Sequence, residues 1–338
     1  MASDVYQKNV VIGFTLSLFT QAHRTLPVIA SCVLLLVASP TMATPQNETG
    51  VSGSTDKAAV ATGSKPNRSP FSVSVSRVSS QSAEIGDGSG ELSRNNWLLG
   101  AKASFPINRQ WAVGVNVGYD QLDYDWQQRT TLNQNLFPDG QSWSDIVRYR
   151  AGVSLSYRPD NHWMFMLAPQ LQYAYADTAS SSNAQSYGAV MSAMYRFDSG
   201  DVLGFGVAYL NDISEVRTVP YVAVRWQIND KWVLANPFQA GFSGPAGLEL
   251  SYQINRDWDV GFGTSKRTQR FLLKDDDISV EIDEMVGFIR TGWQVMPSLT
   301  VNGYAGYFFA GSIELSHDLA DEDMSAQGAL ALALEYRF

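Results

Sequence analysis

The chain has 338 residues, a net charge of −9 and a mean hydropathy of −0.14. Charged residues make up 17% and aromatic residues 12%, whereas soluble domains usually carry about 25% charged residues. This composition excludes a disordered chain, and the negative charge argues against a general nucleic-acid binder, which would present a basic surface. No stretch of about 20 apolar residues follows the N-terminus, which excludes a helical membrane protein.

The N-terminal segment has the features of a secretory signal peptide. Arg24 precedes an apolar run over residues 26–38, which is followed by Pro40, Thr41, Met42 and the small Ala43. The apolar run is too short to span a bilayer as a helix. The sequence predicts a signal peptide over residues 1–43 with cleavage after Ala43. A lipid-modified Cys32 is the alternative, but the apolar run continues beyond that cysteine.

Residues 44–69 predict a flexible periplasmic linker. The segment is polar, rich in Ser, Thr, Gly and Ala, and contains only scattered valines. Cys32 is the single cysteine of the chain and precedes the predicted cleavage point. The mature protein would then contain neither a thiol nor a disulfide.

From residue 70 onwards, apolar residues alternate with small or polar residues. The alternation is clear over residues 71–76, over residues 147–157 and in the last nine residues, 330–338. A period of two predicts half-buried β-strands. No helical stripe interrupts this pattern, and Pro, Asn, Asp and Gly separate the predicted strands.

A seven-residue turn motif recurs between the predicted strands. An aromatic residue ends one strand, and in four copies a tryptophan begins the next: Phe105-Pro-Ile-Asn-Arg-Gln-Trp111, Tyr157-Arg-Pro-Asp-Asn-His-Trp163, Trp226-Gln-Ile-Asn-Asp-Lys-Trp232 and Tyr252-Gln-Ile-Asn-Arg-Asp-Trp258. Residues 293–299 keep the spacing, and residues 195–202 are a looser copy. Constant turns that alternate with variable segments are typical of a transmembrane β-barrel, whose aromatic girdles lie at the membrane interfaces. A soluble β-sandwich is the alternative.

These signals predict an all-β fold, a single antiparallel up-and-down barrel with short periplasmic turns and longer extracellular loops over residues 70–338. Fourteen strands are expected at 70–83, 95–105, 111–126, 144–157, 163–177, 185–196, 202–213, 217–227, 232–240, 246–253, 258–271, 278–293, 299–314 and 326–338. An even number suits closure of an antiparallel barrel. Pro237 weakens the strand at 232–240, so twelve strands are the alternative.

The chain resembles bacterial outer-membrane β-barrel proteins over residues 70–338. The most specific feature is the final strand, Leu334-Glu335-Tyr336-Arg337-Phe338, in which apolar residues alternate back from a terminal phenylalanine. In that class, Tyr336 and Phe338 would carry the signal read by the barrel-assembly machinery. The resemblance implies location in the outer membrane, contact with its lipid and lipopolysaccharide, and a porin-like family of uncharacterised function; it implies no substrate. No nucleic-acid partner is expected.

Strand parity with the girdle residues predicts which charged side chains line the lumen. The predicted lumen wall consists of Lys102, Arg148, Arg150, Arg225, Arg267, Arg290, Asp120, Glu249, Asp259 and Glu335. These groups could line a water-filled pore, or they could pair across strands and brace a plugged barrel. The loop Gln127–Trp143, with its apolar Leu132, Leu136 and Phe137, is the best candidate for a plug.

No segment predicts catalysis or a bound cofactor. Ser316, His317 and Asp318 are the residue types of a hydrolase triad, but adjacent residues cannot converge as a triad does. With His162 as the only other histidine after the predicted signal peptide, a transition-metal site is not expected. Two acidic clusters, Asp275–Asp277 and Asp318 with Asp321–Asp323, are expected in external loops, where charge runs are usually solvated.

Two functions remain open at this point. The first is a channel for small hydrophilic solutes, in which Arg148, Arg150, Arg225 and Arg290 would favour anions despite the negative net charge. The second is a structural or surface-interaction barrel with a closed lumen.

Overall fold

The computed structural model describes residues 70–338 except 87–89, 128–142, 214–215, 237–243, 245, 275–277 and 317–319. The predicted signal peptide and linker lie outside the described residues. None of the helices in the described part is long and apolar enough to cross a membrane.

The described residues form fifteen β-strands and one 3₁₀ turn at Ser181–Asn183. The strands are β1 (Phe71–Ile85), β2 (Gly90–Pro106), β3 (Trp111–Gln127), β4 (Asp145–Tyr157), β5 (Trp163–Ala176), β6 (Gln185–Arg196), β7 (Val202–Asn211), β8 (Val216–Gln227), β9 (Trp232–Ala235), β10 (Ala246–Gln253), β11 (Trp258–Lys274), β12 (Ile278–Met296), β13 (Leu299–Leu315), β14 (Ala320–Met324) and β15 (Gln327–Arg337).

The strands close into a ring. Each strand from β1 to β13 pairs antiparallel with its sequence neighbour, and β1 also pairs with β14 and β15, which in turn pair with β13. Since β14 and β15 occupy successive parts of the same position, the barrel has fourteen staves, the last of which is broken at residues 325–326. The fourteen-strand expectation is confirmed, and the twelve-strand alternative is wrong.

Three expectations about the strands need correction. β2 begins at Gly90 rather than at residue 95, whereas β9 ends at Ala235 rather than at residue 240. The acidic residues 321–323 lie in β14 rather than in a loop, because β13 extends to Leu315 and supplies backbone partners for them. The other acidic cluster, residues 275–277, lies outside the described residues, and so does Asp318.

The recurring turn motif forms tight turns in which one side-chain oxygen caps two backbone amides. Asn108 Oδ1 accepts hydrogen bonds from the amides of Gln110 at 2.8 Å and Trp111 at 2.9 Å. Asp160, Asn229 and Asn255 do the same in their own turns. A short polar side chain that bonds the backbone two and three residues ahead replaces ladder partners where the strands end. The end of the barrel that carries these turns is called the turn end below, and the opposite end the loop end.

The outer face of the barrel is an exposed apolar belt bounded by aromatic residues at the turn end. Val115, Val117, Phe205, Phe262 and Ile289 point outwards and are exposed. At the turn end, aromatic rings of neighbouring strands pack in pairs, such as Trp111 with Tyr157, Trp163 with Tyr195, and Trp258 with Trp293. An apolar outer band with an aromatic girdle suits a lipid environment.

The barrel narrows towards the loop end. There β11 leaves the line of β10 and meets β5 directly, with Leu272 paired to Tyr175 in parallel orientation. The Thr178 hydroxyl donates a hydrogen bond of 2.7 Å to the Leu273 carbonyl beside this pair. Strands β6 to β10 are therefore bypassed at this level, and the ring is completed by β1 to β5 and β11 to β14.

The narrowed ring encloses an apolar core, called the cap below. Its side chains come from all nine of these strands and from Trp143, just before β4: Ala83, Ile85, Leu92, Leu122, Tyr124, Trp143, Ile146, Ala174, Ala176, Phe271, Leu273, Val280, Ile282, Ile313, Leu315 and Met324. All of them are at most 5% exposed. Such packing excludes water at this level.

Candidate functional site

The lumen below the cap is the candidate site, because the polar side chains of the barrel converge there. Alternation along each strand sends the charged residues inwards wherever their neighbours face lipid. On β3, for example, Val117 is exposed outside while Asp120 is fully buried inside. The structure places the predicted wall residues Lys102, Asp120, Arg148, Arg150, Arg225, Glu249, Asp259, Arg267, Arg290 and Glu335 on inward positions of their strands.

The predicted plug contributes to the cap through its last residue. Trp143 is fully buried and packs against Tyr124 at 5.0 Å and Phe271 at 5.3 Å between ring centroids. Residues 128–142, with Leu132, Leu136 and Phe137, lie outside the described residues. Strands β11 and β12 supply much of the remaining cap, so the closure is built largely from the barrel wall itself.

At the lower edge of the cap, two contacts cross the lumen between strands that are not neighbours. Arg94 Nη2 of β2 lies 2.5 Å from Glu284 Oε1 of β12, and both side chains are at most 3% exposed. The Tyr124 hydroxyl of β3 donates a hydrogen bond of 2.8 Å to Gln269 Oε1 of β11. The Arg94 guanidinium also lies over the Phe308 ring, 5.0 Å from its centroid. These contacts tie opposite walls together beneath the apolar core.

A second cluster joins β3 and β4. Arg148 Nε donates to Asp120 Oδ2 at 2.7 Å, and Arg150 Nη2 donates to Asp120 Oδ1 at 3.1 Å. The carboxylate is fully buried, whereas the Arg150 side chain is 45% exposed. Gly118 makes room for the second guanidinium, because a Cβ there would lie 3.1 Å from Arg150 Nη2. One buried acid thus serves two arginines.

The cluster around Arg290 has the opposite balance. Its guanidinium donates to Glu249 Oε1 at 2.7 and 2.9 Å, to Asp259 Oδ2 at 2.5 Å, and to Asn302 Oδ1 at 3.1 Å. Two carboxylates surround one cation, and the contacts join β12 to β10, β11 and β13. This cluster braces the wall.

A further ion-pair group connects β8 with the β11–β12 hairpin. Arg217 donates two parallel hydrogen bonds of 2.8 Å to the carboxylate of Glu281, which Arg270 also contacts. Asp212 Oδ2 lies 3.7 Å from Arg217 Nη2. Arg217 is the second residue of β8 and lies at its loop end. The bidentate pair therefore holds the hairpin against the wall that the narrowing bypasses.

Between these clusters and the turn end, the lumen is open to solvent along β2 to β5. Lys102, Asn116, Gly152 and Gln170 lie opposite one another in a continuous row across these four strands. Lys102, Asn116 and Gln170 point inwards and are nevertheless exposed, as is Arg150 one row above. The opposite side is packed with inward apolar groups, including Val78, Phe288, Tyr304 and Phe308. The accessible space, called the chamber below, is thus polar and lies to one side.

Sequence reasoning missed four lumen residues that the structure brings together: Arg94, Tyr124, Gln269 and Glu284. Arg94 was missed because β2 was expected to begin after it. Gln269 lies two residues from Arg267 on β11, and Glu284 lies six residues from Arg290 on β12. Strand alternation therefore predicts the same inward direction for both.

The residues considered for catalysis or metal binding do not assemble in the described structure. The Ser316 hydroxyl accepts a hydrogen bond of 2.9 Å from the Ser279 amide, and His317 and Asp318 lie outside the described residues. His162 caps a short turn, with its Nδ1 3.0 Å from the Arg196 carbonyl oxygen. Among the described residues, no group of His, Cys, Asp and Glu side chains is arranged to hold a metal ion.

One family model matches more than half of the chain. The family described as a domain of unknown function, DUF6268, matches residues 107–322. The chain belongs to this family. No curated protein matches the DUF6268 chain in sequence.

Three solved structures illustrate its similarity to other barrels. An outer membrane channel from Pseudomonas putida F1 is 8% identical, with 80% of this chain and 96% of that chain covered and a TM-score of 0.46. A FadL homologue from Pseudomonas aeruginosa is 13% identical, with 79% and 89% covered and a TM-score of 0.42. The toluene transporter TodX from Pseudomonas putida is 12% identical, with 81% and 90% covered and a TM-score of 0.38.

The closed strand ladder and the apolar outer belt indicate that the barrel lies in a membrane. A closed ladder satisfies the backbone polar groups inside lipid, and the exposed apolar belt with its aromatic girdle fits the bilayer. The DUF6268 chain is therefore a bacterial outer-membrane β-barrel.

Proposed function

We propose that the protein is an outer-membrane channel for small hydrophilic solutes, and that the structure represents its closed state. The observation that carries this proposal is the row Lys102, Asn116 and Gln170, whose polar side chains face inwards and remain exposed to solvent. A barrel that served only as a scaffold would gain stability by filling this space with apolar side chains. A polar, accessible wall instead suits passage of hydrated solutes.

The cap acts as the gate in this proposal. Its apolar core blocks the external end, so a solute that enters from the periplasmic side meets a dry barrier above Arg94 and Tyr124. Opening requires movement of the β11–β12 hairpin, because that hairpin supplies Phe271, Val280 and Ile282 to the core. Strands outside the cap can keep their pairing while the hairpin moves.

The lumen below the cap, which includes the chamber, favours anions in this proposal. Lys102, Arg148, Arg150 and Arg225 lie on inward positions of β2, β4 and β8, while Asp120 is the acid paired with two of them. Wall charge sets the field on a passing ion, because exposed charges beyond about 8 Å are largely screened at physiological salt. Arg290 contributes less to this field, since Glu249 and Asp259 neutralise it.

Planar-bilayer recordings of the barrel extracted from outer membranes test the proposal. Trp143→Ala and Phe271→Ala remove buried cap side chains and should raise the fraction of time spent conducting. Phe205→Ala removes a lipid-facing ring of β7 and serves as the matched control, for which no change in conductance is expected.

Selectivity has its own measurement. In a salt gradient, Arg150→Gln together with Arg225→Gln should move the reversal potential towards cation preference, with Arg148 left in place to pair Asp120. An unchanged potential in a conducting barrel would contradict anion preference alone.

The alternative function is a closed-lumen barrel that displays its loops. The dry cap and the contacts between Arg94 and Glu284 favour it. If neither the wild-type protein nor the two cap variants conducts, the channel proposal fails and the closed barrel stands.

A further inference from the structure

We infer that the head of the chamber, just below the cap, is a binding site for the oxyanion group of a small solute, a carboxylate or a phosphate. The site is formed by Arg148, Arg150 and Arg267, with Arg94 behind them. This inference rests on the proposed function for its biological meaning, but the site itself is defined by charge and geometry.

The cluster contains more guanidinium groups than carboxylates. Asp120 is shared by Arg148 and Arg150, at 2.7 and 3.1 Å. Glu284 pairs with Arg94 at 2.5 Å and lies directly opposite Arg267 in the β11–β12 register. Four guanidinium groups thus accompany two carboxylates, and arginine remains charged in proteins.

The pair Arg94 and Arg267 lies close to the pair Arg148 and Arg150. Arg94 lies opposite Tyr124 in the β2–β3 register, and Arg267 lies two residues before Gln269 on the inner face of β11. The Tyr124 hydroxyl binds Gln269 and so joins the inner faces of β3 and β11. Asp120, which binds Arg148 and Arg150, lies four residues before Tyr124 on the same face of β3. The two arginine pairs therefore form one cluster with excess positive charge. Excess charge away from bulk water is unfavourable unless an anion neutralises it.

A buried amide donor without a partner among the described residues, Gln269 Nε2, lies beside Arg267. Gln269 lies two residues after Arg267 on the inner face of β11 and is 3% exposed. Its Oε1 accepts the Tyr124 hydroxyl, while its buried Nε2 has no hydrogen-bond partner among the described residues. Buried amide donors are normally paired. An oxyanion held by the arginines would supply the missing acceptor.

The arginine cluster is accessible from the chamber, unlike a fully buried ion pair. The Arg150 side chain is 45% exposed towards the chamber, so a solute can reach the cluster from the periplasmic side. The Arg290 cluster, with two acids around one arginine, has no surplus positive charge and serves as an internal comparison. Planar guanidinium groups bind carboxylate and phosphate oxygens with two hydrogen bonds each, which defines the ligand class.

The test uses the whole barrel in non-ionic detergent, titrated calorimetrically with inorganic phosphate and separately with succinate at constant ionic strength. Saturable binding of either anion is expected, and the two titrations distinguish a phosphate from a carboxylate ligand. Arg150→Gln and Arg267→Gln should each weaken binding about tenfold, because each removes one guanidinium and leaves Asp120 or Glu284 paired. Arg225→Gln, an inward arginine at the turn end of β8, should bind like the wild type.

A stability measurement separates binding from a merely structural role. The bound anion should raise the temperature at which the wild-type barrel unfolds, and this rise should shrink in Arg150→Gln and Arg267→Gln. Absence of saturable binding to the wild type, or equal weakening in all three variants, overturns the site. Binding without conductance would leave the site in place and refute the channel; conductance without binding would do the reverse.

Discussion

At the scale of single residues, the turn asparagines show how a short motif organises the end of a barrel. Asn255 Oδ1 accepts the amides of Asp257 and Trp258, both at 2.9 Å. The same geometry at Asn108, Asp160 and Asn229 explains why these four copies of the motif have Asn or Asp at the fourth position. The tryptophan that follows is held at the interface by a backbone bond as well as by its ring.

Removal of one capping oxygen should therefore weaken the turn. Asn255→Ala leaves two backbone amides without their acceptor, and we expect a loss of about 1 kcal/mol in the free energy of unfolding. Asn255→Asp keeps the oxygen and should behave like the wild type. Urea titration of the barrel, followed by its unheated mobility on SDS gels, measures both. Equal stability of the alanine variant would show that water replaces the cap.

Arg290 provides a stronger case. Arg290→Gln leaves Glu249, which is 5% exposed, and Asp259 without their cation. Loss of one partner from a buried charge cluster typically costs about 3–5 kcal/mol, so this barrel should unfold at lower urea than the wild type. Addition of Glu249→Gln to the same variant should restore part of the loss. No recovery in the double variant would show that Arg290 acts through packing rather than charge.

At the scale of elements, the β11–β12 hairpin is the part that controls the lumen. It supplies the cap, meets β5, and is held to β8 by the bidentate contact between Arg217 and Glu281. Its remaining ladder partners lie on β10 and β13. The β10 ladder ends at the pair Ala246–Lys266, so the loop-end part of β11 has β12 as its antiparallel partner, whereas β12 stays paired with β13 up to Leu315. Movement of the hairpin therefore has to separate β12 from β13 or to carry β13 with it.

Loss of the Glu281 charge should favour the open state. Glu281→Gln removes the acid that both Arg217 and Arg270 contact, and we expect the open probability in planar bilayers to rise by about tenfold. Asp283→Asn on the same strand removes the partner of exposed Lys266, 2.8 Å away, and is the control. Exposed pairs contribute little, so this control should conduct like the wild type. Equal effects would argue against a specific restraint at Glu281.

The strands could be predicted from sequence because their alternation has one meaning in a membrane barrel. The number of strands, their closure and the girdle all followed from the period of two and the repeated turn. The cap could not be predicted, because its core depends on β11 crossing to β5, a contact between positions almost 100 residues apart. The pairing of Arg94 with Glu284 across the lumen is equally non-local and leaves no spacing in the sequence.

At the scale of the whole molecule, closure makes the barrel one cooperative unit. β15 forms the seam with β1 over Ser72–Ser80, and the Phe338 amide donates a hydrogen bond of 3.2 Å to the Phe71 carbonyl. Among the described residues, every stave pairs with a stave on each side, so detergent finds no strand with a wholly unpaired edge at which to begin unfolding. The unheated protein should therefore migrate differently from the boiled protein on SDS gels, whereas identical migration would contradict a closed barrel.

The C-terminal residue provides a test of assembly. We expect Phe338→Glu to lower the amount of barrel in the outer membrane, because the ring lies on the outer face next to Tyr336, 5.0 Å away, in the strand expected to carry the assembly signal. Phe338→Tyr keeps an aromatic end and should assemble normally. Quantification of the heat-modifiable band in membrane fractions distinguishes the two. Normal levels of the glutamate variant would place the signal elsewhere.

The contact between β5 and β11 follows from simple parity. In an up-and-down barrel, consecutive strands run in opposite directions, so two strands separated by an odd number of others run in the same direction. The short-cut from β5 to β11 omits five strands, and it must therefore be parallel, as Leu272 and Tyr175 are. A ring with an odd number of strands always contains one such mismatched joint, where hydrogen bonds are slanted and slightly weaker. Protons of the Leu272 and Tyr175 amides should consequently exchange with deuterium earlier than those of the antiparallel β12–β13 ladder.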